Sequence, residues 1–135
     1  MINCTVKIEF CAAKRLLDYD GKCNQLHGYG HKVEVSFSGN KNDDMVADFY
    51  DLKEKLNNWI DKNWDHNVIL NKKDKPLGKV ISDMTGQKVF YLDKDPTAEN
   101  MAKYLKDKIC PKIIKEAKCS KVRLYDNDSA FVEVT

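Results

Sequence analysis

Apolar and polar residues alternate at two places near the start of the chain. In residues 3–11 every second position is apolar, namely Cys4, Val6, Ile8 and Phe10. Residues 31–38 repeat this pattern with Val33, Val35 and Phe37. A period of two is typical of a half-buried strand. We therefore predict two antiparallel strands, joined by a loop over residues 12–26. Loops of this length more often carry a function than serve only as connections.

Apolar residues at helical spacing predict two helices. The first begins after Asp48, a favourable N-cap residue, and ends near Asn63. The second begins within DPTAEN (95–100), where Asp95 can cap the helix and Pro96 suits its first position. Its inner face is formed by Met101, Ala102, Leu105 and Ile109. Pro111 is expected to break or kink this helix, with one further turn beyond it.

Two more pairs of strands complete the predicted order. Residues 79–92 are predicted to form a small hairpin around Thr85-Gly86, and residues 121–134 two strands around Asn127-Asp128. The order β-β-α-(β-β)-α-β-β indicates an α+β fold, with helices covering one face of an antiparallel sheet. A length of 135 residues suits a single domain, spanning residues 1–135, around one core.

Composition narrows the classes of partner. Hydrophobic residues make up 42% of the chain and charged residues 33%, yet the net charge is only +2. This balance gives no reason to expect nucleic acid or a membrane as a partner. The N-terminus lacks the apolar run of a signal peptide, so we expect a cytoplasmic protein. The five cysteines are odd in number and contain no CxxC pair, which predicts free thiols.

Six fragments resemble one enzyme family when they are read in order along the chain. They are FCAAKRL (10–16), GKCNQLHGYGH (21–31), MVADF (45–49), WDHNVILN (64–71), DPTAEN (95–100) and LYDND (124–128). Together they resemble the 6-pyruvoyl-tetrahydropterin and 6-carboxytetrahydropterin synthases, and they span almost the whole chain.

The resemblance implies a fold and a reaction. The family has the tunnelling fold, a four-stranded antiparallel sheet with two helices on one face. Three subunits join their sheets into a trimeric barrel, two trimers often stack into a hexamer, and active sites lie between subunits. The family's substrate is 7,8-dihydroneopterin triphosphate, and a zinc ion held by three histidines polarises its side-chain oxygens. A lyase of the tetrahydrobiopterin or queuosine pathway is therefore implied.

The resemblance also implies roles for individual residues. Cys23 falls on the family's reactive thiol, and Asp65 and His66 fall on the Asp-His pair that exchanges protons with it. A histidine can lower the pKa of a nearby thiol, and an aspartate can orient the imidazole. Asp126 and Thr97 fall on positions that contact the pterin. Read without the resemblance, Asp126 is typical of a turn, and Thr97 of a helix N-terminus.

The implied zinc site departs from the family pattern. Lys14 stands where the family has its first histidine ligand, His27 is retained, and Tyr29 replaces the third ligand. An ammonium cannot bind zinc and a neutral phenol binds it poorly. In one interpretation the metal is lost, and Lys14 attracts the substrate oxygens instead. In the other, a two-residue bulge brings His31 beside His27 in a shifted zinc site, with Cys23 as a third donor.

These departures leave the function open between three hypotheses. The first is a pterin synthase-like protein that eliminates triphosphate from dihydroneopterin triphosphate and rearranges or cleaves its side chain. The second is a non-catalytic homologue that binds a pterin or purine-like ligand, or serves as an assembly partner. The third is a metal-free enzyme with changed chemistry. The expected partners are a small-molecule pterin substrate and further copies of the chain, in a homotrimer or homohexamer.

Overall fold

A six-stranded mixed sheet forms the centre of the computed structural model, which describes residues 1–39 and 44–135. The strands are β1 (Ile2–Lys14), β2 (His27–Gly39), β3 (Asn67–Asn71), β4 (Val89–Leu92), β5 (Lys118–Asn127) and β6 (Ala130–Val134). The helices are α1 (Phe49–Asn63), α2 (Lys75–Thr85), α3 (Ala98–Tyr104) and α4 (Cys110–Ile113). The spatial order of the strands is β4-β3-β1-β2-β5-β6.

The antiparallel half of the sheet matches the prediction. Strands β1 and β2 pair without interruption from Ile2 opposite Gly39 to Lys14 opposite His27. Both strands are longer than predicted, because the alternation of more buried and less buried side chains continues through residues 12–14 and 27–30. The loop between the strands is correspondingly shorter. Strands β5 and β6 add to β2 in antiparallel fashion, as the C-terminal pattern indicates. The predicted α+β class is confirmed.

The other half of the sheet differs from the prediction. Strand β3 pairs in parallel with β1 and β4 in parallel with β3, so the sheet is mixed rather than antiparallel and has six strands rather than the four that the resemblance implies. The hairpin predicted over residues 79–92 is wrong, since its first half belongs to helix α2. Gly86 has a φ of 72° and closes that helix by donating its N–H to the Ser82 carbonyl. A glycine suited to a hairpin turn is equally suited to a helix C-terminus.

The core lies between the inward face of the antiparallel strands and helices α1 and α3. Helix α1 buries Leu52, Leu56 and Ile60, which recur at helical spacing, and Asp48 caps it by accepting a hydrogen bond from the Tyr50 N–H. The predicted inner face of the second helix is fully buried at Met101, Ala102, Leu105 and Ile109. Within the described ranges, no helix is long and apolar enough to cross a membrane.

The second predicted helix is split, and its start is shifted. Thr97, rather than Asp95, is the N-cap, because its hydroxyl accepts a hydrogen bond from the Asn100 N–H at 3.1 Å. A π-helical turn, Leu105–Ile109, separates α3 from α4. Pro111 is the second residue after this turn and lacks an N–H, so the wider turn accommodates the expected break.

Candidate active site

Four side chains predicted to matter lie on one face of the β1–β2 pair. His27, Tyr29 and His31 alternate along β2, and Lys14 is the register partner of His27. The rings of His27 and Tyr29 lie 4.2 Å apart between centroids, and those of Tyr29 and His31 lie 5.3 Å apart. The three rings therefore form a row beside the Lys14 side chain, in which Tyr29 and His31 are stacked and His27 is tilted.

Lys14 is a buried cation at the centre of this group. Only 2% of its surface is exposed, and its Nζ donates a hydrogen bond to Asp126 Oδ1 at 3.0 Å. Nζ also lies 4.5 Å from the centre of the Tyr29 ring, within the range of a cation–π contact. Burial lowers the pKa of Lys14, and the Asp126 carboxylate opposes that change. The amine is therefore desolvated and held by a single carboxylate.

Asp126 reaches this group from β5, two strands away from Lys14. Its side chain is 34% exposed, in contrast to the buried amine that it pairs with. Lys14 engages Oδ1, so a ligand that approached from solvent could still donate to the other oxygen. The structure thus brings together the two predicted substrate-binding residues Lys14 and Asp126.

Cys23 contacts the same group through a hydrogen bond with Tyr29. It occupies a short 3-10 turn, Lys22–Asn24, and the Tyr29 hydroxyl lies 3.5 Å from its Sγ as a hydrogen-bond donor. Burial raises the pKa of Tyr29, and the hydrogen bond to Cys23 acts in the same direction. The phenol therefore stays protonated and available as a donor to the thiol.

His31 is a buried, neutral imidazole. Its Nδ1 lies 3.0 Å from the Tyr125 carbonyl, which can only accept, so this nitrogen carries the proton. Its Nε2 is buried without a partner among the described residues. Burial, and then the charge of Lys14, lower the pKa of His31 to about 4.

The donor groups in the structure do not fit a zinc site with three histidines. The two-residue bulge that would bring His31 forward is absent, because the register from Ile2 to Lys14 is continuous in the described strands. Tyr29 lies between the imidazoles of His27 and His31, and Lys14 is committed to Asp126. Among the family's three ligand positions, only His27 offers an electron pair suited to zinc.

Asp65 and His66 form a second group, which lies beside Cys11 of β1 and directly before β3. His66 Nδ1 lies 2.9 Å from Asp65 Oδ1, and that oxygen also accepts a hydrogen bond from the Cys11 N–H at 3.0 Å. His66 adopts a positive φ of 59°, and its side chain is 79% exposed. The pair lines an open cleft of about 450 Å³ that Tyr125 and Asn127 also border.

The structure does not join this pair to Cys23 within one chain. Cys23 is absent from the residues that line the cleft, and in the described part of the chain no hydrogen bond links it to Asp65 or His66. Tyr29 is nearer to the pair, since it and His66 border a second, shallower depression. The predicted catalytic residues therefore lie in two separate groups.

Thr97 stands at the start of α3, whose first turn faces Lys14. The Met101 sulfur lies 3.8 Å from Lys14 Nζ, and the charge of Glu99 acts on the same amine. The Thr97 hydroxyl is already used in capping the helix. A hydroxyl can donate while it accepts, so the cap does not prevent a contact with a ligand.

Asp95 organises the loop that carries Cys23, a role that sequence reasoning missed. Its carboxylate accepts hydrogen bonds from the Leu17 N–H at 3.0 Å, the Asp18 N–H at 2.9 Å and the Asn71 side-chain amide at 3.0 Å. The sequence signal for Asp95 is its position at the start of DPTAEN, but that position predicts helix capping rather than contacts with a distant loop. Its partners lie up to 78 positions away, so their identity could not be predicted from spacing.

Comparison with known proteins identifies relatives over the full length of the chain. The model of the 6-pyruvoyl tetrahydropterin synthase family matches residues 3–135. The 6-carboxy-5,6,7,8-tetrahydropterin synthase of Rickettsia conorii is 41% identical, covering 99% of this chain and 100% of the relative. The protein of the same name from Haemophilus influenzae is 28% identical, covering 98% of both chains.

Solved structures share the fold at lower identity. The 6-pyruvoyl tetrahydropterin synthase of Caenorhabditis elegans superposes with a TM-score of 0.73 at 20% identity, over 99% of this chain and 94% of the other. An uncharacterized protein from Wolinella succinogenes reaches 0.75 at 18% identity, over 98% and 97%. These likenesses confirm the predicted tunnelling fold. Together with the family match and the full-length relatives, they establish that the chain belongs to the 6-pyruvoyl tetrahydropterin synthase family.

Proposed function

We propose that the chain is a pterin synthase-like lyase that acts on 7,8-dihydroneopterin triphosphate, with the Lys14 ammonium in the place of the family's zinc. The observation that carries this proposal is the ion pair between the buried Lys14 amine and the partly exposed Asp126 carboxylate, which lies beside the Cys23 thiol and its Tyr29 donor. The names of the full-length relatives, which are tetrahydropterin synthases, support action on a pterin. The lyase chemistry and a place in the tetrahydrobiopterin or queuosine pathway are part of the proposal.

Lys14 can supply part of what a metal ion supplies. A cation beside the side-chain oxygens of the substrate stabilises negative charge that develops there, and a desolvated site strengthens this effect. Its partner Asp126 holds the amine in place and keeps one oxygen for the amino-pyrimidine edge of a pterin. His27 lies at the end of the row of rings and contacts the same substrate oxygens.

Cys23 is the proposed general base or acid. It removes a proton from a side-chain carbon of the substrate. The freed electron pair forms a carbon–carbon double bond, and the carbon–oxygen bond to triphosphate breaks. His66 is the proton partner of the thiol, and Asp65 orients its imidazole through the 2.9 Å contact. Thr97 contacts the pterin from the start of α3.

The separation of Cys23 from His66 within one chain supports an assembly of several copies. Each complete site would then take its thiol from one subunit and its Asp65–His66 pair from another. The exposed position of His66 beside an open cleft suits this arrangement. We propose a homotrimer or homohexamer.

The proposal is tested by metal analysis and turnover on the same preparation. Protein purified without a histidine tag should carry far less than one zinc per chain by mass spectrometry of the metals, and should still release triphosphate from 7,8-dihydroneopterin triphosphate. Cys23→Ala should abolish turnover and spare assembly. Stoichiometric zinc, or full activity of the Cys23→Ala variant, would contradict the proposal.

A second candidate function, ligand binding without catalysis, draws support from the same ion pair. Lys14 is already engaged by the Asp126 carboxylate, which partly neutralises the ammonium and weakens its capacity to stabilise negative charge on a substrate. The double variant Lys14→His with Tyr29→His discriminates between the candidates. If this variant gains both zinc and activity that the natural chain lacks, the chain is a lapsed synthase that now only binds. If the natural chain is the more active of the two, Lys14 has a catalytic function.

A further inference from the structure

We propose that Tyr29 stabilises the thiolate form of Cys23 through a hydrogen bond from its phenol, as a further catalytic residue of the proposed reaction. The Tyr29 hydroxyl lies 3.5 Å from Cys23 Sγ, and the contact is partly buried. Over residues 1–39 and 44–135 no other hydrogen bond to this sulfur is present. The inference rests on the proposed function, because there Cys23 is the group that takes a proton from the substrate.

The bond between the phenol and the sulfur strengthens when the thiol loses its proton. A neutral thiol sulfur is only a weak acceptor for a phenol O–H, whereas a thiolate carries a full negative charge. A hydrogen bond to an ionised group is roughly twice as strong as one between neutral groups. Tyr29 therefore favours the charged, reactive form of Cys23 over the neutral form.

The Tyr29 ring is fixed from several sides, so its hydroxyl keeps one direction. It lies between the rings of His27 and His31, at centroid distances of 4.2 and 5.3 Å, and Lys14 Nζ lies 4.5 Å from its centre. Burial, and then the hydrogen bond to Cys23, raise the pKa of Tyr29, so the phenol keeps the proton that it donates. A donor that is preorganised in this way needs no rearrangement when negative charge develops on the sulfur.

The backbone around Cys23 is also held in place. The Cys23 carbonyl accepts a hydrogen bond from the Leu16 N–H at 2.8 Å. The next residue, Asn24, donates its side-chain amide to the carbonyls of Leu16 at 3.1 Å and Leu17 at 3.2 Å. The turn that carries the thiol is thus tied to the chain that leaves β1, while Tyr29 lies in the paired part of β2. The contact between phenol and thiol therefore follows from the fold.

In the proposed reaction Tyr29 keeps its own proton throughout. The Cys23 thiolate takes a proton from a side-chain carbon of the substrate, and the electron pair of that bond forms the carbon–carbon double bond as triphosphate leaves. His66 then accepts the proton from the neutral thiol, which restores the thiolate. The hydrogen bond from Tyr29 stabilises the sulfur before the first step and after the second.

The test compares how fast iodoacetamide alkylates Cys23 in the natural chain and in Tyr29→Phe, followed over a range of pH by peptide mass spectrometry. The variant keeps the ring in its row and beside Lys14, and lacks only the hydroxyl. At pH 7 it should react about threefold to tenfold more slowly, because it holds less thiolate. Above about pH 10, where the thiol of either protein is ionised, the order should reverse, since a thiolate without a hydrogen bond is the stronger nucleophile.

Three comparisons separate this effect from changes in the fold. Tyr19→Phe removes the hydroxyl of an exposed tyrosine in the loop that carries Cys23, and it should leave the rate unchanged. The exposed Cys11 should react equally in every variant, and the buried Cys110 should stay unreactive while the fold is intact. Tyr29→3-fluorotyrosine, whose phenol is a stronger donor, should react faster at pH 7 than the natural chain.

Equal rates for the natural chain and Tyr29→Phe at pH 7, or slowing by the same factor at every pH, would overturn the proposal. The second result would indicate altered access to the thiol. Turnover is measured separately, and the kcat of Tyr29→Phe should fall about threefold to tenfold with KM nearly unchanged, because the phenol contacts the thiol. If the alkylation profiles cross but the natural chain shows no turnover, the bond to the thiolate is supported and the proposed function is contradicted.

Discussion

Lys14 and Asp126 share one ion pair but differ in exposure, at 2% and 34% of the side chain. Asp126→Asn leaves a desolvated ammonium without its charge partner, so we expect a loss of about 2–4 kcal/mol in the free energy of unfolding. Lys14→Met removes the buried charge and leaves a carboxylate that water can reach, so its cost should stay within about 1 kcal/mol. Denaturation with guanidinium measures both.

The exposed pair Lys79–Asp83 serves as the control, because both side chains lie mostly in solvent. Its double-mutant cycle should give a coupling below about 0.5 kcal/mol, against about 1–3 kcal/mol for Lys14 with Asp126. Equal costs for the two single substitutions would show that the amine is not desolvated as described.

His31 should make stability depend on pH. Its pKa is lowered to about 4 in the folded chain, while an unfolded histidine titrates near 6.5. Between these values the unfolded state binds a proton that the folded state does not, so stability is full above about pH 6.5 and falls as the pH drops to 4. The loss should reach about 3 kcal/mol.

The pH dependence is measured by denaturation of the natural chain and of His31→Phe, a variant that keeps an aromatic ring between Phe10 and Tyr29. Lys14 and Asp126 face the imidazole and remain in both proteins. The natural chain should lose more stability than the variant across this range. Parallel curves would exclude His31 as the cause.

The chemistry of single residues could be predicted from sequence only in part. An ammonium at position 14 excluded a metal ligand there, because that follows from residue type alone. Its burial and its carboxylate could not be predicted, since Asp126 lies 112 positions away and on another strand. The unpaired Nε2 of His31 is likewise a product of tertiary packing.

The Asp95 carboxylate joins separate elements of the fold, so its removal should loosen the contacts between them. Asp95→Ala removes the acceptor of the Leu17 and Asp18 amides and of the Asn71 side chain. We expect a loss of about 1–3 kcal/mol in stability. Hydrogen exchange should accelerate selectively in the loop over residues 15–26, which includes Cys23.

Asp93→Ala is the matched control, because Asp93 lies two positions away with a side chain that is 89% exposed. This substitution should change the free energy of unfolding by no more than about 0.5 kcal/mol. It should leave hydrogen exchange in the loop unchanged. If both variants behave alike, the hydrogen bonds of Asp95 do not hold the loop.

Elements with strong periodicity were predicted well, and elements set by tertiary contacts were not. Helix α1 has the predicted cap and the predicted last residue, because Leu52, Leu56 and Ile60 form a regular apolar stripe. Strand β3 was missed, since a short strand buried in a parallel arrangement shows an apolar run without alternation. Helix α2 was mistaken for a strand because Gly86 suits either ending.

The separation of Cys23 from His66 predicts complementation between subunits. Cys23→Ala and His66→Ala should each be inactive, yet mixing them under conditions of subunit exchange should restore activity. Random mixing in a cyclic assembly makes about a quarter of the sites complete, so about a quarter of natural activity is expected. Turnover before and after mixing measures this recovery.

A control mixture combines Cys23→Ala with the double variant that carries both substitutions. No site in it can be complete, so it should stay inactive. Activity in this control, or none in the experimental mixture of subunits that do exchange, would place the thiol and imidazole in the same subunit or remove one of them from the mechanism.

At the scale of the whole molecule, the fold class was predictable because it depends on the order of elements and on family fragments spread along the chain. Strand order was less accessible. The parallel addition of β3 and β4 to the β1 edge depends on where α1 and α2 return the chain, and local pattern carries no such information.

The ion pair between the first and fifth strands also has a consequence for biosynthesis. While the chain emerges from the ribosome, Lys14 appears early and its carboxylate 112 positions later. Until β5 is made, the amine has no carboxylate partner and remains hydrated, so the end of β1 cannot be buried as it is in the complete fold. Contacts of such long sequence separation form late and slowly. The Lys14–Asp126 site can therefore form only after β5 has been synthesised.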